Sequence, residues 1–446
     1  MFVFMIIYLL LVLIRPQDYP ALVDVIGLPL QPIALVVAAL FWLLSTRKSF
    51  AAPQYLLLAC FLVVLMFSKV FNGWNGGAIV QWSKFAPVLL AFVVLSNAVN
   101  TRQRIVTAMA IFALCAGVLA LHGIEQSQTG MGWTGVGLSQ ETRIQYVGIF
   151  NDPNDLGLLF VMCLPMALYL SGRGGLLGLR RVFWLAVAAV LIYGIYLTDS
   201  RGTLLALVVL LGVYVWHRRG AFTAAVMGVA AMAVMMVLPS RLQEMEVSEA
   251  SAQGRVESWY EGLHMFISSP IFGIGADGYS DLNHLTAHNS FVLVLAETGI
   301  VGFTIWLAFV GYCFRMVLAV LRQGDGFASA ELVAAEAGPG DIAVSHAEPM
   351  EHEWMEHEWL EDKAIALTLL LSLSGFFAAA FFLSRSYLVI LYLLAALVVG
   401  HYVAMQARYP ALPRFSLGQD VLRWPLWALA GVVGLYVMVK VLLALI

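Results

Sequence analysis

Apolar positions in this chain come in long runs rather than in alternation. Runs at 1–14, 28–44, 54–71, 78–96, 103–124, 154–171, 182–198, 202–216, 221–239, 299–321, 363–383, 386–405 and 425–446 are dominated by Leu, Val, Ala, Ile and Phe. A helix needs roughly 20 such residues to cross a hydrocarbon core about 30 Å thick. Inside that core only helices and closed barrels satisfy their backbone polar groups. The runs have helix length, so the pattern predicts an all-α polytopic membrane protein with about twelve or thirteen transmembrane helices. About nine fall within 1–239, a polar interval with helical segments occupies 240–298, and the rest lie in 299–446 around an acidic linker at 322–362.

Composition narrows the class further. With 61% hydrophobic and 11% charged residues the chain has too little charge to cover a soluble globule. A net charge of -3 with scattered basic residues argues against a nucleic acid partner, and the partners expected are membrane lipids and membrane-borne substrates. Cys60, Cys115, Cys163 and Cys313 lie inside apolar runs without Cys-x-x-Cys spacing, and read as packing residues. No stretch has the form of a phosphate-cradling glycine loop or a nucleophilic serine elbow.

Basic residues are retained on the cytoplasmic side of a membrane, so they orient the chain. One alternating set of connections holds fifteen Lys and Arg; the other holds Arg15, Arg143, Arg201, Arg241, Arg255 and Arg385. The second set is therefore expected to face outward.

The polar residues gather in one place. Between two apolar runs stand Arg255, His264, Asp277, Asp281, His284 and His288, in a segment dense in glycine. One reading is a solvated loop whose polar side chains cap short helices. The spacing favours another. His288-Asn289 is followed after nine residues by Gly299 and then by Gly302, a pattern that resembles the histidine motif of the bacterial O-antigen ligases. Gly254-Arg255-x-x-x-Trp259 resembles the arginine motif of the same family's large periplasmic loop, and Ser200-Arg201-Gly202 with Leu205 its upstream Arg-x-x-x-Leu element. The resemblance covers roughly residues 140–310.

It implies a periplasmic active site on the inner membrane, where a preassembled glycan passes from undecaprenyl pyrophosphate to a hydroxyl of lipid A–core, with inversion and without metal or soluble cofactor. O-antigen polymerases and protein O-oligosaccharyltransferases would use the same donor. A transporter of lipid-linked glycans would suit the helix count, but no internal repeat is visible and the charges collect at one surface. Under the transferase reading Arg201 and Arg255 bind the pyrophosphate, because a guanidinium engages phosphate oxygens at two points and stays charged. His288 is the general base, having an ordinary pKa near 6.5. His284, one helical turn earlier if the segment is helical, is its understudy.

Bland alternatives accompany each assignment. Arg201 is also placed to snorkel at the membrane surface, and His288 to cap or buttress the helix leading to Gly299. Asp152 followed by Pro153 reads as a helix N-cap and first helical residue, with Asp152 or Asp155 alternatively lining the acceptor site or orienting an arginine. Asn289 and Lys84 complete the supporting candidates, Lys84 for a headgroup or a carboxylate partner. Glu-His-Glu-Trp, at 351–354 and again at 356–359, does not have zinc-protease spacing and predicts a charged surface helix after a flexible linker.

Overall fold

The computed structural model describes the chain except residues 23–26, 47, 174, 176–177, 238–244, 325–348 and 446, and except the side chains of 232, 234–237, 245–252 and 349–353. Among the described residues there is no strand, only two isolated bridges in the 131–143 loop. The helices are α1 (Phe2–Leu13), α2 (Leu30–Leu43), α3 (Gln54–Phe71), α4 (Asn75–Ala98), α5 (Arg102–Thr129), α6 (Pro153–Gly172), α7 (Leu179–Leu197) and α8 (Arg201–Arg219). They continue as α9 (Ala221–Val237), α10 (Met245–Ser268), α11 (Tyr279–Leu282), α12 (Ser290–Leu321), α13 (Pro349–Ala380), α14 (Val389–Arg408) and α15 (Arg423–Leu445).

Each predicted apolar run falls on a helix, and the protein is an all-α, multi-pass membrane protein. Among the described residues ten helices, α3–α8 and α12–α15, are long and apolar enough to cross a membrane. At 1.5 Å per residue α1 and α2 extend only about 18 and 21 Å, short of a full crossing.

Burial sorts the bundle into centre and rim. In α6 83% of the apolar stretch is buried, in α14 78% and in α13 72%, whereas α8 and α15 bury only 17% each. Helix α6 is thus the central post. Its N-terminal end packs closely on α8, because Gly157 has no Cβ to collide with Thr203.

Two sequence expectations need correction. The run at 299–321 is the second part of a longer helix: α12 begins at Ser290 and breaks at Gly299, whose φ of 63° and ψ of -166° are not helical. A side chain at Gly299 would strike the Ile271 backbone. The break frees backbone groups that the 270–275 loop satisfies. Ile300 and Val301 donate to the carbonyls of Pro270 (2.8 Å) and Ile271 (3.3 Å), and Ile274 and Gly275 donate to those of Ala296 (3.0 Å) and Glu297 (3.1 Å). The second correction concerns the Glu-His-Glu-Trp repeat. It begins no separate surface helix but the first turns of α13, which runs on into a span, with Glu358, Glu361 and Asp362 paired to Arg102. The linker itself lies mostly outside the described residues.

Candidate active site

Three helix N-termini converge at one end of the bundle, each capped by a short polar side chain. Asp152 caps α6, accepting from the Asn154 N–H at 2.7 Å, with Pro153 as the first helical residue. Ser200 caps α8, accepting from Thr203 at 3.3 Å. Asn289 caps α12, accepting from Phe291 at 2.8 Å and Val292 at 3.1 Å. The cap of α12 is therefore Asn289 and not its neighbour His288. Helix N-termini carry partial positive charge and unpaired N–H groups, so their meeting point favours an anion.

Arginines deepen that preference. Arg201 is the first residue of α8. Arg143 reaches from the α5–α6 loop to donate to the Thr198 carbonyl at 2.9 Å and to the Asn154 side chain at 3.0 Å, tying the α7–α8 turn to the start of α6. Arg255 and Trp259 are four residues apart on α10 and so share a face. Trp259 is buried against Phe381 and Phe382, with ring centroids 5.6 and 6.5 Å away, which explains the aromatic in the arginine motif as an anchor. Arg255 then lines a narrow cleft of about 10 Å³ beside Asn154, Ser200 and Phe382. It has no carboxylate within salt-bridge reach among the described residues. Burial, followed by the nearby Arg143 and Arg201, holds its pKa below the ordinary value, with Asp152 acting in the opposite sense.

The loop between α13 and α14 adds Arg385. Its guanidinium grips Asp155 through both carboxylate oxygens, the Nη2 contact being 2.6 Å. Burial would lower the Arg385 pKa, but its bonds to Asp155 override this and raise it. The same loop is fastened to the start of α12: Ser290 donates to the Leu383 carbonyl at 2.6 Å, the Arg385 N–H donates to the Ser290 hydroxyl at 2.9 Å, and Ser386 donates to the Ser290 carbonyl at 2.7 Å.

His288 is half-buried within this ring. Its backbone is left-handed, φ 45°, a conformation that costs a non-glycine residue on the order of 1–3 kcal/mol and gathers at functional sites. Neither ring nitrogen has a hydrogen-bond partner among the described residues. Burial, then the Arg255 charge, lowers its pKa below the ordinary 6.5; Asp152 opposes the shift and Arg385 reinforces it.

Of the residues singled out in the sequence, Arg201, Arg255, His288, Asn289, Asp152 and Asp155 meet here. His284 does not occupy the expected position: residues 283–289 are not helical, so no turn places it on the face of His288, and it is exposed. Lys84 is drawn elsewhere, to Asp277 at 2.7 Å. Sequence reasoning missed Arg143 and Arg385 as members of the site. Their one signal was membership of the small outward-facing basic set. No group of three or more potential metal ligands occurs among the described residues.

Fold and site together define a multi-pass membrane protein with a cationic, histidine-bearing cluster at one end of its bundle. Residues 186–307 match the family model described as O-antigen ligase, which supports an assignment to that family. That match spans Arg201, Arg255, His288 and Asn289. Residues 1–175, with Arg143, Asp152 and Asp155, match the model of a family of unknown function. No curated protein matches the chain.

Proposed function

We propose that the protein transfers a preassembled glycan from undecaprenyl pyrophosphate to a hydroxyl of lipid A–core, at the periplasmic face of the bacterial inner membrane. The observation that carries this reading is the gathering of Arg143, Arg201, Arg255 and Arg385 with His288 where three helix N-termini meet. The acceptor oxygen attacks the anomeric carbon while its proton passes to His288. The bond from that carbon to the pyrophosphate breaks, and its electron pair leaves on the phosphate oxygen. Arg201 and Arg255 stabilise that developing charge, and direct displacement inverts the anomeric centre. Arg385, already balanced by Asp155, fixes the edge of the site and keeps His288 neutral.

An apolar groove of about 530 Å³ between α12 and α15 supports a polyisoprenoid donor. Phe291, three residues beyond His288, and Phe381 line it together with Phe303, Leu307, Trp424 and Trp427, so a lipid tail in the groove would bring its pyrophosphate toward the arginines.

The test is transfer by purified protein in detergent, offered lipid-linked glycan with lipid A–core, a second lipid-linked glycan or a protein as acceptor. Glycosylated lipid A–core is the expected product. Elongated carrier-linked glycan would make the protein a polymerase, and glycoprotein an O-oligosaccharyltransferase. Absence of any transfer in detergent, with glycan crossing vesicle membranes instead, would make it a transporter.

A further inference from the structure

Ser290 is the first residue of α12, two positions after His288, and its side chain is shut off from solvent. The reaction steps proposed above give it no part. A serine hydroxyl has one proton to donate and lone pairs with which to accept, and here both are engaged by one distant loop. It donates to the Leu383 carbonyl at 2.6 Å and accepts the Arg385 backbone N–H at 2.9 Å. The Ser290 carbonyl accepts from the Ser386 hydroxyl at 2.7 Å. The Tyr392 hydroxyl, in the first turn of α14, donates to the Ser386 carbonyl at 2.7 Å and anchors the far side of the loop. Arg385 is thus pinned at both ends. Its backbone is held by Ser290, and its guanidinium grips both oxygens of Asp155 in the first turn of α6.

We propose that Ser290 is a positioning residue whose hydroxyl sets the place of His288 against Arg385 and, through the Arg385–Asp155 pair, against the start of α6. The inference rests on the transferase reading of the site. Alanine at 290 leaves the Leu383 carbonyl and the Arg385 N–H without these partners, whereas threonine keeps the hydroxyl that serves both. Loss of the node lets His288 and the loop drift apart, and a displacement of about 1 Å at a reacting group is worth on the order of 100-fold in rate. The drift also changes the charge around the imidazole. Burial and Arg255 do most to lower the His288 pKa, and Arg385 adds to them. A more distant Arg385 gives up its share, so the pKa rises.

The experiment compares Ser290→Ala, Ser290→Thr, Ser386→Ala, Arg385→Ala and His288→Ala with wild type, as purified full-length proteins. The probes are lipid-linked glycan and lipid A–core, and kcat, donor KM and the pH profile are expressed per folded molecule, with the folded fraction taken from thermal melts. Ser290→Ala should lower kcat by roughly 10- to 100-fold with a smaller change in donor KM, because Arg201 and Arg255 stand on other helices. Its acid limb should move to higher pH, as in Arg385→Ala, and Ser290→Thr should recover most of both effects. If Ser290→Ala does not fold, Ser386→Ala carries the test: it removes the bond to the Ser290 carbonyl and should show the same shifts at smaller size. A purely structural role would lower the melting temperature and leave kcat and the acid limb as in wild type. That result, with the limb displaced in Arg385→Ala, would overturn the positioning role while leaving the site intact. A near-wild-type rate in His288→Ala would instead overturn the reading of the site, and the inference with it.

Discussion

Asp155 and Arg385 are 230 positions apart and meet in a two-oxygen ion pair that joins the first turn of α6 to the loop before α14. Asp155 is almost wholly buried and the Arg385 side chain is 30% exposed. The pair orients an arginine, one of the two roles weighed for Asp155 from sequence, and the partner is an arginine to which sequence had given no role.

Breaking this pair should be costly, since it leaves a buried charge alone. Asp155→Ala and Arg385→Ala are each expected to lose about 3 kcal/mol, the low end for a buried pair because Arg385 keeps some solvent. Thermal melts of both single variants and the double variant check this: the double should lose less than the sum of the singles.

Arg255→Lys keeps the charge but not the planar fork. Transfer should fall substantially at matched membrane levels, because a point ammonium cannot reproduce a two-point phosphate contact. A rate equal to wild type would make Arg255 a solubilising residue of α10.

The backbone devices around the histidine motif give a separate stability prediction. Asn289→Ala removes a cap that accepts two N–H groups and should cost about 1 kcal/mol. Gly299→Ala should accumulate poorly, because the added carbon meets the backbone of Ile271, which cannot turn aside. Melting temperature and membrane abundance separate the two effects.

Hydropathy made the helices legible because a span is a local property. The Asp152–Pro153 cap was legible for the same reason, and so were the three motifs by their spacing. The paired relationships were not. Nothing local in Pro270-Ile271 announces that its carbonyls fill the break at Gly299, and nothing in Arg385 or Arg143 announces Asp155 or Asn154. His284 was misplaced by assuming helical periodicity across a segment that the left-handed His288 and the Asn289 cap keep extended. Lys84 was recognised as needing a partner, but the partner, Asp277, lies in a loop 193 positions away.

The acid limb of the pH profile follows from the His288 surroundings. A general base must be neutral, so turnover should fall as pH drops through the His288 pKa. Burial and Arg255 depress that pKa, so the fall should come below pH 6.5. Asp152→Asn is the clean perturbation. Asn caps a helix as well as Asp does, while losing the carboxylate removes a charge that favours the imidazolium. The His288 pKa should therefore drop further and the limb move to lower pH. Movement to higher pH would contradict the electrostatic account.

The role of His288 is tested most directly by measuring donor binding and turnover on one purified sample of His288→Ala. Because Asn289 supplies the cap and the arginines remain, the variant should fold and bind lipid-linked donor as wild type does. Turnover alone should fall, by about 10²- to 10⁴-fold, the usual worth of general-base catalysis. Parallel loss of binding and turnover, or a rate close to wild type, would contradict the assignment.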